Sequence, residues 1–181
     1  MANPGRGVLP KLLVASIVVV IVGWLTLLVM ATPEPPPAEV VDRLSAEAVA
    51  DVALSQTLAP RVETRGGTGA WLVGRGVVVA GFADKGPLSW DDLGGTLRFR
   101  VPSARVLSVS AEPLYLEGDD GARLPLPEDT SALVNELEVA LRHDAVVGGI
   151  LRQADELLIR HLRSRFNPMG YRVETKPAPS P

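Results

Sequence analysis

Two histidines, His143 and His161, are the sequence's imidazole candidates for metal or acid–base chemistry. In one unbroken helix they would lie about five turns and about 27 Å apart, so they would not share one metal ion. A serine nucleophile needs a base and an acid that orients the base, and the sequence contains no Gly-x-Ser-x-Gly elbow. Both histidines are therefore interpreted as solvated or hydrogen-bonded residues without a catalytic role.

Aspartates are the next candidates, and they occur as the pairs Asp91-Asp92 and Asp119-Asp120 and singly at Asp84. A calcium loop places oxygen ligands at alternating positions and ends with a distant bidentate carboxylate, a pattern that neither pair begins. We interpret the pairs as turn residues, with weak ion binding as the alternative. An exported small-ligand binder or weak hydrolase would use Asp84, Asp91 or Asp92. No catalytic, cofactor-binding or metal-binding residue is predicted.

The composition excludes several classes of function. The chain has no cysteine, so disulfides, zinc–thiolate sites and cysteine nucleophiles are absent. A net charge of −3 and an aromatic content of 4% argue against nucleic-acid partners, which bind cationic surfaces and stacking platforms. The glycine-rich residues 65–70 lack the lysine and hydroxyl residue of a phosphate loop and are predicted to form a flexible turn.

Residues 12–31 form a run without charge, long enough to cross a bilayer core as a helix. Arg6 and Lys11 precede the run, whereas acidic residues follow it, so residues 1–11 are predicted to be cytoplasmic and the rest of the chain outside. The alternative is a secretory signal cleaved near Ala31, although the apolar part of a signal is usually shorter. The sequence thus predicts a single-pass membrane anchor, or a secreted domain if cleavage occurs.

The segment after the anchor is rich in proline, and residues 32–37 are predicted to be an extended stalk. Residues 38–57 are predicted to form a juxtamembrane helix, because apolar residues recur at helical spacing up to Pro60. That helix either packs on the domain or associates with a copy of itself. Residues 176–181 are predicted to be a disordered tail.

Residues 58–175 are predicted to be one α+β domain, with a small, mostly antiparallel sheet packed against a long C-terminal helical segment. Strands are indicated at 70–82, 95–102, 104–111 and 170–175, and residues 113–127 look like a hairpin with Asp120-Gly121 at its turn. Gly148-Gly149 interrupts the helical pattern, so either two helices meet there or the bare backbone allows close packing. The predicted apolar stripe of the helical segment is Leu133, Leu137, Leu141, Val147, Leu151, Ala154, Leu158 and Leu162.

Three stretches carry a resemblance to a known family: "VVVAGF" at 77–82, "VPSARVLSV" at 101–109, and "AVVGGILRQADELLIRHL" with "MGYRV" after it. Over about residues 71–175 the chain resembles domain-of-unknown-function family 4230, whose members often carry an N-terminal membrane helix. The resemblance implies the fold and topology, and it implies no activity. The positions similar to those of the family are Gly81, Pro102, Gly149, Ile150, Leu151, Ala154, Gly170 and Val173.

The functional expectation is a non-enzymatic, membrane-anchored module outside the cell membrane, either an interaction domain or an accessory of an envelope complex. Its expected partners are the lipid bilayer and either another protein or a second copy of the chain. The alternative is an exported small-ligand-binding protein or weak hydrolase.

The first prediction concerns the anchor. The full chain with a C-terminal tag should sediment with membranes at full-length mass, and protease added outside should digest the tagged domain. The reason is the uncharged run at 12–31 with cations only on its N-terminal side. A soluble product that begins at Thr32 would instead demonstrate cleavage.

Overall fold

The computed structural model describes residues 20–24, 36–64 and 70–178, which form an α+β fold with C-terminal helices. Residues 20–24 are helical. The main helices are α1 (Ala38–Ala50), α2 (Ser131–Val147) and α3 (Ile150–Phe166), with a 3₁₀ turn at Asn167–Met169. The strands are β1 (Ala53–Leu58), β2 (Arg61–Glu63), β3 (Trp71–Gly81), β4 (Trp90–Asp92), β5 (Thr96–Val101), β6 (Arg105–Glu117), β7 (Arg123–Leu124) and β8 (Arg172–Pro177).

The larger sheet has five strands in the order β1-β3-β6-β7, with β2 also paired to β3, and every pairing is antiparallel. Strand β3 alternates between buried and outward-facing residues along its length, as a half-buried strand must. Strand β6 continues through Pro113, where the register with β3 shifts. The predicted strand at 104–111 and the first arm of the predicted hairpin are therefore one strand, because a bulge accommodates the proline.

A second sheet of three strands, in the order β4-β5-β8, departs from the prediction of a single sheet. Strands β5 and β8 are parallel, with Leu97 opposite Val173. The parallel pairing is possible because α2 and α3 lie between these strands in the chain and provide the long crossover that parallel strands need. The prediction of a mostly antiparallel α+β fold is confirmed, whereas β2 and β4 were missed because each has only three residues.

Helix α2 lies on the inner face of the larger sheet and forms the first of two cores. Leu72, Val78 and Ala80 of β3 pack with Leu137 and Leu141 of α2, and all five side chains are fully buried. A Cβ atom added at either Gly74 or Gly76 would collide with one of these two leucines, so the glycines allow the helix to approach the strand closely.

The second core lies between α1, α3 and the smaller sheet. Phe99 of β5 and Phe166 of α3 pack with ring centroids 5.2 Å apart, and both are fully buried. Val41 and Val49 bring α1 into the same core, and Arg165 of α3 forms ion pairs with two acidic side chains of the α1 region. Of the two predicted alternatives for this helix, the structure has the one in which it packs on the domain.

The predicted helix at 38–57 is wrong in its last part, because α1 ends at Ala50 and residues 53–58 form β1. Leu54 and Leu58 occupy alternate positions whose side chains are half-buried while their neighbours are exposed, the period of a strand. The predicted boundary at residue 58 is also wrong, since both α1 and β1 belong to the same packed structure as the later residues.

The Gly148-Gly149 pair is the junction between α2 and α3, so the two-helix alternative is correct. Gly149 has φ of 82°, a left-handed conformation that glycine adopts without a steric penalty. This break places His143 and His161 on different helices, which removes the unbroken-helix premise behind their predicted separation.

Several predictions concern residues that lie outside the ranges described by the structure. They include most of the predicted membrane span at 12–31, stalk residues 32–35, the glycine-rich residues 65–69 and tail residues 179–181. Within the described ranges, no helix combines the length and apolar character needed to cross a bilayer. The tail prediction is wrong for residues 176–177, which continue β8 beside β5.

The second prediction follows from the packing of α2. Leu141→Ala should lower the free energy of unfolding by about 2–5 kcal/mol, because it leaves a cavity against β3. Urea unfolding of the full chain in detergent, followed by tryptophan fluorescence, would measure the change. The matched control is Val147→Ala on the same helix, where the residue is 72% exposed; it should change stability by no more than about 0.5 kcal/mol. Equal effects of the two substitutions would contradict this assignment of helix faces.

Candidate functional site

A groove of about 590 Å³ runs between β2 and the outward side of α2. Residues 60–63 form one wall and helix residues from Asn135 to Asp144 form the other. Its volume lies within the range of about 300–1,000 Å³ that is typical of ligand sites. We call it the β2–α2 groove.

A second, shallow depression of about 630 Å³ lies along the same helix and is lined by Asn135, Val139, His143 and neighbouring residues of α2. These three residues also line the β2–α2 groove. The outward face of α2 is therefore a ridge with a concave surface on each side, a shape that accepts side chains from a facing element.

The ridge consists of residues that recur at offsets of three, four and seven along one helix face. We call this set the α2 stripe: Ala132, Asn135, Glu136, Val139, Arg142, His143 and Val146. Val139 is 66% exposed and Val146 is 44% exposed. Two valines seven residues apart lie on the same helix face, two turns from each other, so Val139 gives the stripe an apolar centre and Val146 an apolar C-terminal end.

Helix α2 is apolar on two sides, and this distinguishes it from an ordinary surface helix. Leu137, Leu141 and Ala145 are buried against the larger sheet, whereas Val139 and Val146 face away from it. A surface helix normally presents one apolar stripe and one polar face. Among the described residues, none covers Val139 or Val146, which are 66% and 44% exposed.

The charged residues of the α2 stripe, Glu136 and Arg142, have opposite signs and lie on either side of Val139. Glu136 lies toward the N-terminus of α2, and one of its carboxylate oxygens is buried without a hydrogen-bond partner. Arg142 lies toward the C-terminus and is exposed. Among the described residues, neither side chain takes part in an ion pair.

Among the described residues, Arg61 is the arginine that lines the β2–α2 groove, and its side chain already has two partners. The guanidinium of Arg61 donates to Glu117 at 3.1 Å and stacks over the ring of Trp71 at 4.7 Å from the ring centroid. These contacts hold Arg61 toward β3 and β6, where its partners lie. The other described residues with ionisable side chains that line the groove are His143 and three carboxylates, those of Glu63, Glu136 and Asp144.

The positions similar to family 4230 lie at structural junctions rather than at this surface. Gly81 ends β3, where an added Cβ would lie 2.6 Å from the carbonyl oxygen of Val52. Pro102 follows β5 and precedes the turn into β6. Gly149 and Gly170 both have positive φ, each at the end of a helical element.

The apolar members of that set are packing residues. Ile150 and Ala154 of α3 are buried, one against the larger sheet's core and the other against the smaller sheet's core. Leu151 is half-buried and contacts both cores, and Val173 of β8 is buried beside α3. The eight positions are thus three glycines and a proline beside the ends of helices and strands, and four buried or half-buried apolar residues; none of them belongs to the α2 stripe.

The aspartates considered for a small-ligand site form hydrogen bonds or an ion pair with nearby residues. Asp84 accepts a hydrogen bond from the backbone N–H of Gly86 at 2.9 Å, and Asp91 pairs with Arg100 at 3.3 Å. Asp92 accepts from the N–H of Gly94 at 3.0 Å. The turn interpretation is wrong for Asp91 and Asp92 themselves, because both lie in β4, although Asp92 stabilises the turn that follows it.

The remaining residues considered for chemistry, Asp120, His143 and His161, also lie apart from one another. Asp120 accepts from the N–H of Ala122 in the β6–β7 turn, which confirms its turn role. His143 is exposed on α2, whereas the Nδ1 atom of His161 is buried without a hydrogen-bond partner, so the hydrogen-bonded interpretation does not hold for that atom. Within the described residues, no group of three or more His, Asp or Glu side chains is placed to hold a metal ion.

The pKa of Asp155 in α3 is shifted from the ordinary value of an aspartate. Burial raises the pKa of Asp155 above its ordinary value, and a hydrogen bond from the backbone N–H of Ala104 at 3.2 Å partly counters this effect. Because the native state then holds the proton more tightly than the unfolded state, this group favours folding at low pH. That contribution is lost as the pH rises through the raised pKa.

The third prediction follows from this sign. Asp155→Asn keeps an acceptor oxygen for Ala104 and removes the charge, so the variant should melt at a higher temperature than wild type at pH 7. The difference should shrink at low pH, once the wild-type carboxyl is protonated, and the raised pKa of Asp155 means that this begins above the ordinary titration range of an aspartate. Thermal unfolding at several pH values measures it, with the exposed Asp119→Asn as control. A variant less stable than wild type at pH 7 would contradict the sign.

Comparison with known proteins returned no matching family model, no matching curated protein and no matching solved structure. The resemblance to family 4230 stays a prediction.

Proposed function

We propose that this chain is a single-pass, membrane-anchored module outside the cell membrane that docks a protein partner through the α2 stripe and performs no reaction of its own. The observation that carries the proposal is the second apolar face of α2, with Val139 66% exposed at its centre. Exposing a large apolar side chain to water is unfavourable, and covering it with a partner recovers that free energy.

The surface around Val139 supports docking of a protein. A stable protein interface buries about 1,200–2,000 Å² in total, which is more than one helix face provides. The concave surfaces on both sides of the α2 stripe enlarge the area that a partner can contact. Polar residues surround the valines, as at the rim of an interface.

The membrane part of the proposal rests on the uncharged residues 12–31 and on the cations that precede them. The non-enzymatic part rests on the dispersal of the candidate catalytic residues. Asp84 and Asp92 bond to nearby backbone N–H groups, and Asp91 pairs with Arg100. An anchored domain with an apolar ridge and engaged carboxylates fits an interaction or envelope-accessory role.

Binding of a small molecule is the second candidate function, and the volume of the β2–α2 groove favours it. About 590 Å³ is enough for a ligand of ordinary size. Pro60 and Val62 supply apolar lining opposite Val139 and Ala140. This site differs from the one expected at Asp84, Asp91 and Asp92, which lie elsewhere in the fold.

The fourth prediction tests docking in the membrane. A photo-cross-linking amino acid at position 139 of the full chain should give a discrete adduct after irradiation of intact membranes, because this position lies at the centre of the proposed interface. The same probe at Asp119, in the exposed β6–β7 turn, is the control and should give none. Denaturing gel electrophoresis and mass spectrometry would identify the adduct.

Specificity is tested by adding Val146→Asp to the chain that carries the probe at position 139. The buried charge should reduce the adduct at least about fivefold, since a charge at an apolar contact is costly. Identical adducts from positions 139 and 119, or no adduct from position 139, would contradict docking. Turnover of a substrate that is lost on Asp91→Ala would contradict the non-enzymatic part.

A further inference from the structure

The residues of the α2 stripe are arranged symmetrically about Val139. Around Val139, the residues of the stripe lie at offsets of minus and plus three, four and seven. The pairs at equal distance from Val139 are alike in chemistry or opposite in charge: Glu136 with Arg142, Asn135 with His143, and Ala132 with Val146. Such a pattern is what an antiparallel copy of the same helix would match.

We infer that the partner docked on the α2 stripe is a second copy of this chain, with the two α2 helices antiparallel about a two-fold axis at Val139. This inference rests on the proposed docking function and names its partner. A two-fold interface uses the same patch on both copies, so each contact occurs twice. Val139 then meets Val139 of the second copy on the axis.

Charge complementarity sets the direction of the helices. In the antiparallel arrangement, Glu136 of each copy lies opposite Arg142 of the other, and neither residue has an ion pair among the described residues of one copy. A parallel arrangement in register would place Glu136 against Glu136 and Arg142 against Arg142. Like charges across an interface are unfavourable, so the parallel pairing is disfavoured.

The apolar contacts follow the same symmetry. Ala132 of one copy lies opposite Val146 of the other at both ends of the interface, and a small residue facing a larger one lets the helices approach. The stripe from Ala132 to Val146 is about 21 Å long at a rise of 1.5 Å per residue. The concave surfaces beside Val139 give room for side chains of the second copy.

Membrane anchoring favours this association. Two copies held in one membrane are confined to a thin layer, which raises the effective concentration of each for the other. A helix pair too weak to persist between free molecules can therefore form between anchored ones.

The chain contains no cysteine, so a single introduced cysteine can form a disulfide only with another chain. A disulfide requires Cα atoms about 4.4–6.8 Å apart. In membranes containing the full chain, Val139→Cys should form a disulfide dimer under mild oxidation, because its position lies on the axis. Ala132→Cys alone should form little, because its two copies would lie about 21 Å apart along the helices.

Co-expression supplies the decisive comparison. Differently tagged Ala132→Cys and Val146→Cys chains should form a mixed disulfide dimer, at least about fivefold more than either forms with itself, because these positions face each other only in the antiparallel pair. Equal self-dimers at positions 132, 139 and 146 would overturn the inference and indicate a parallel pair or random collision. Absence of a disulfide at every position would overturn it as well.

Charge reversal gives an independent readout in the Val139→Cys background. Glu136→Arg or Arg142→Glu alone should reduce the disulfide dimer roughly fivefold, since each creates two like-charge contacts. The two reversals together should restore the dimer, because they recreate opposite charges across the interface. If the single variants failed because they did not fold, the double variant would not recover. Failure of this rescue would overturn the assigned pairing.

The two proposals fail separately. If the probe at position 139 joins a different protein and Val139→Cys gives no dimer, docking stands and the second copy is excluded. If position 139 gives neither a photo-adduct nor a disulfide, the docking function falls together with the inference.

Discussion

The contact of Leu137 and Leu141 with the glycines of β3 is the constraint on which the rest of the structure depends. Gly74 and Gly76 leave space that only a chain without Cβ atoms at these positions provides, and the two leucines occupy it. This contact fixes the rotation of α2 about its own axis. Because the helix repeats every 3.6 residues, the same rotation directs Val139 and Val146 away from the sheet. The buried packing therefore determines which surface the molecule presents.

The break at Gly149 has a complementary consequence for the two cores. Its left-handed conformation ends α2 and starts α3 in a new direction, so one helix covers the larger sheet while the other covers the smaller one. Leu151, just after the break, contacts both cores. The long connection through these helices is also what brings β8 back parallel to β5. The break between α2 and α3 therefore allows one helical segment to pack against both sheets.

Periodicity predicted most of the long elements, since β3, β5, β6 and the C-terminal helices have strong apolar patterns. It did not separate β1 from α1, because the alternation around Leu54 is short and follows a helical pattern directly. It could not show a second sheet, because pairing partners depend on contacts distant in sequence. The α2 stripe was missed for a related reason. The predicted stripe included Val147, which is 72% exposed, and only packing against β3 shows which apolar residues remain outside.

The engagement of the aspartates explains why the surface of α2, rather than a cluster of carboxylates, carries the functional argument. Asp84, Asp92 and Asp120 each accept a hydrogen bond from the backbone N–H two residues later, the local contact that makes aspartate favourable in turns. These side chains stabilise loops and have a structural reason to be present. Val139 and Val146 have none, because they contact neither core. The proposed docking accounts for apolar side chains on α2 that its own fold does not require.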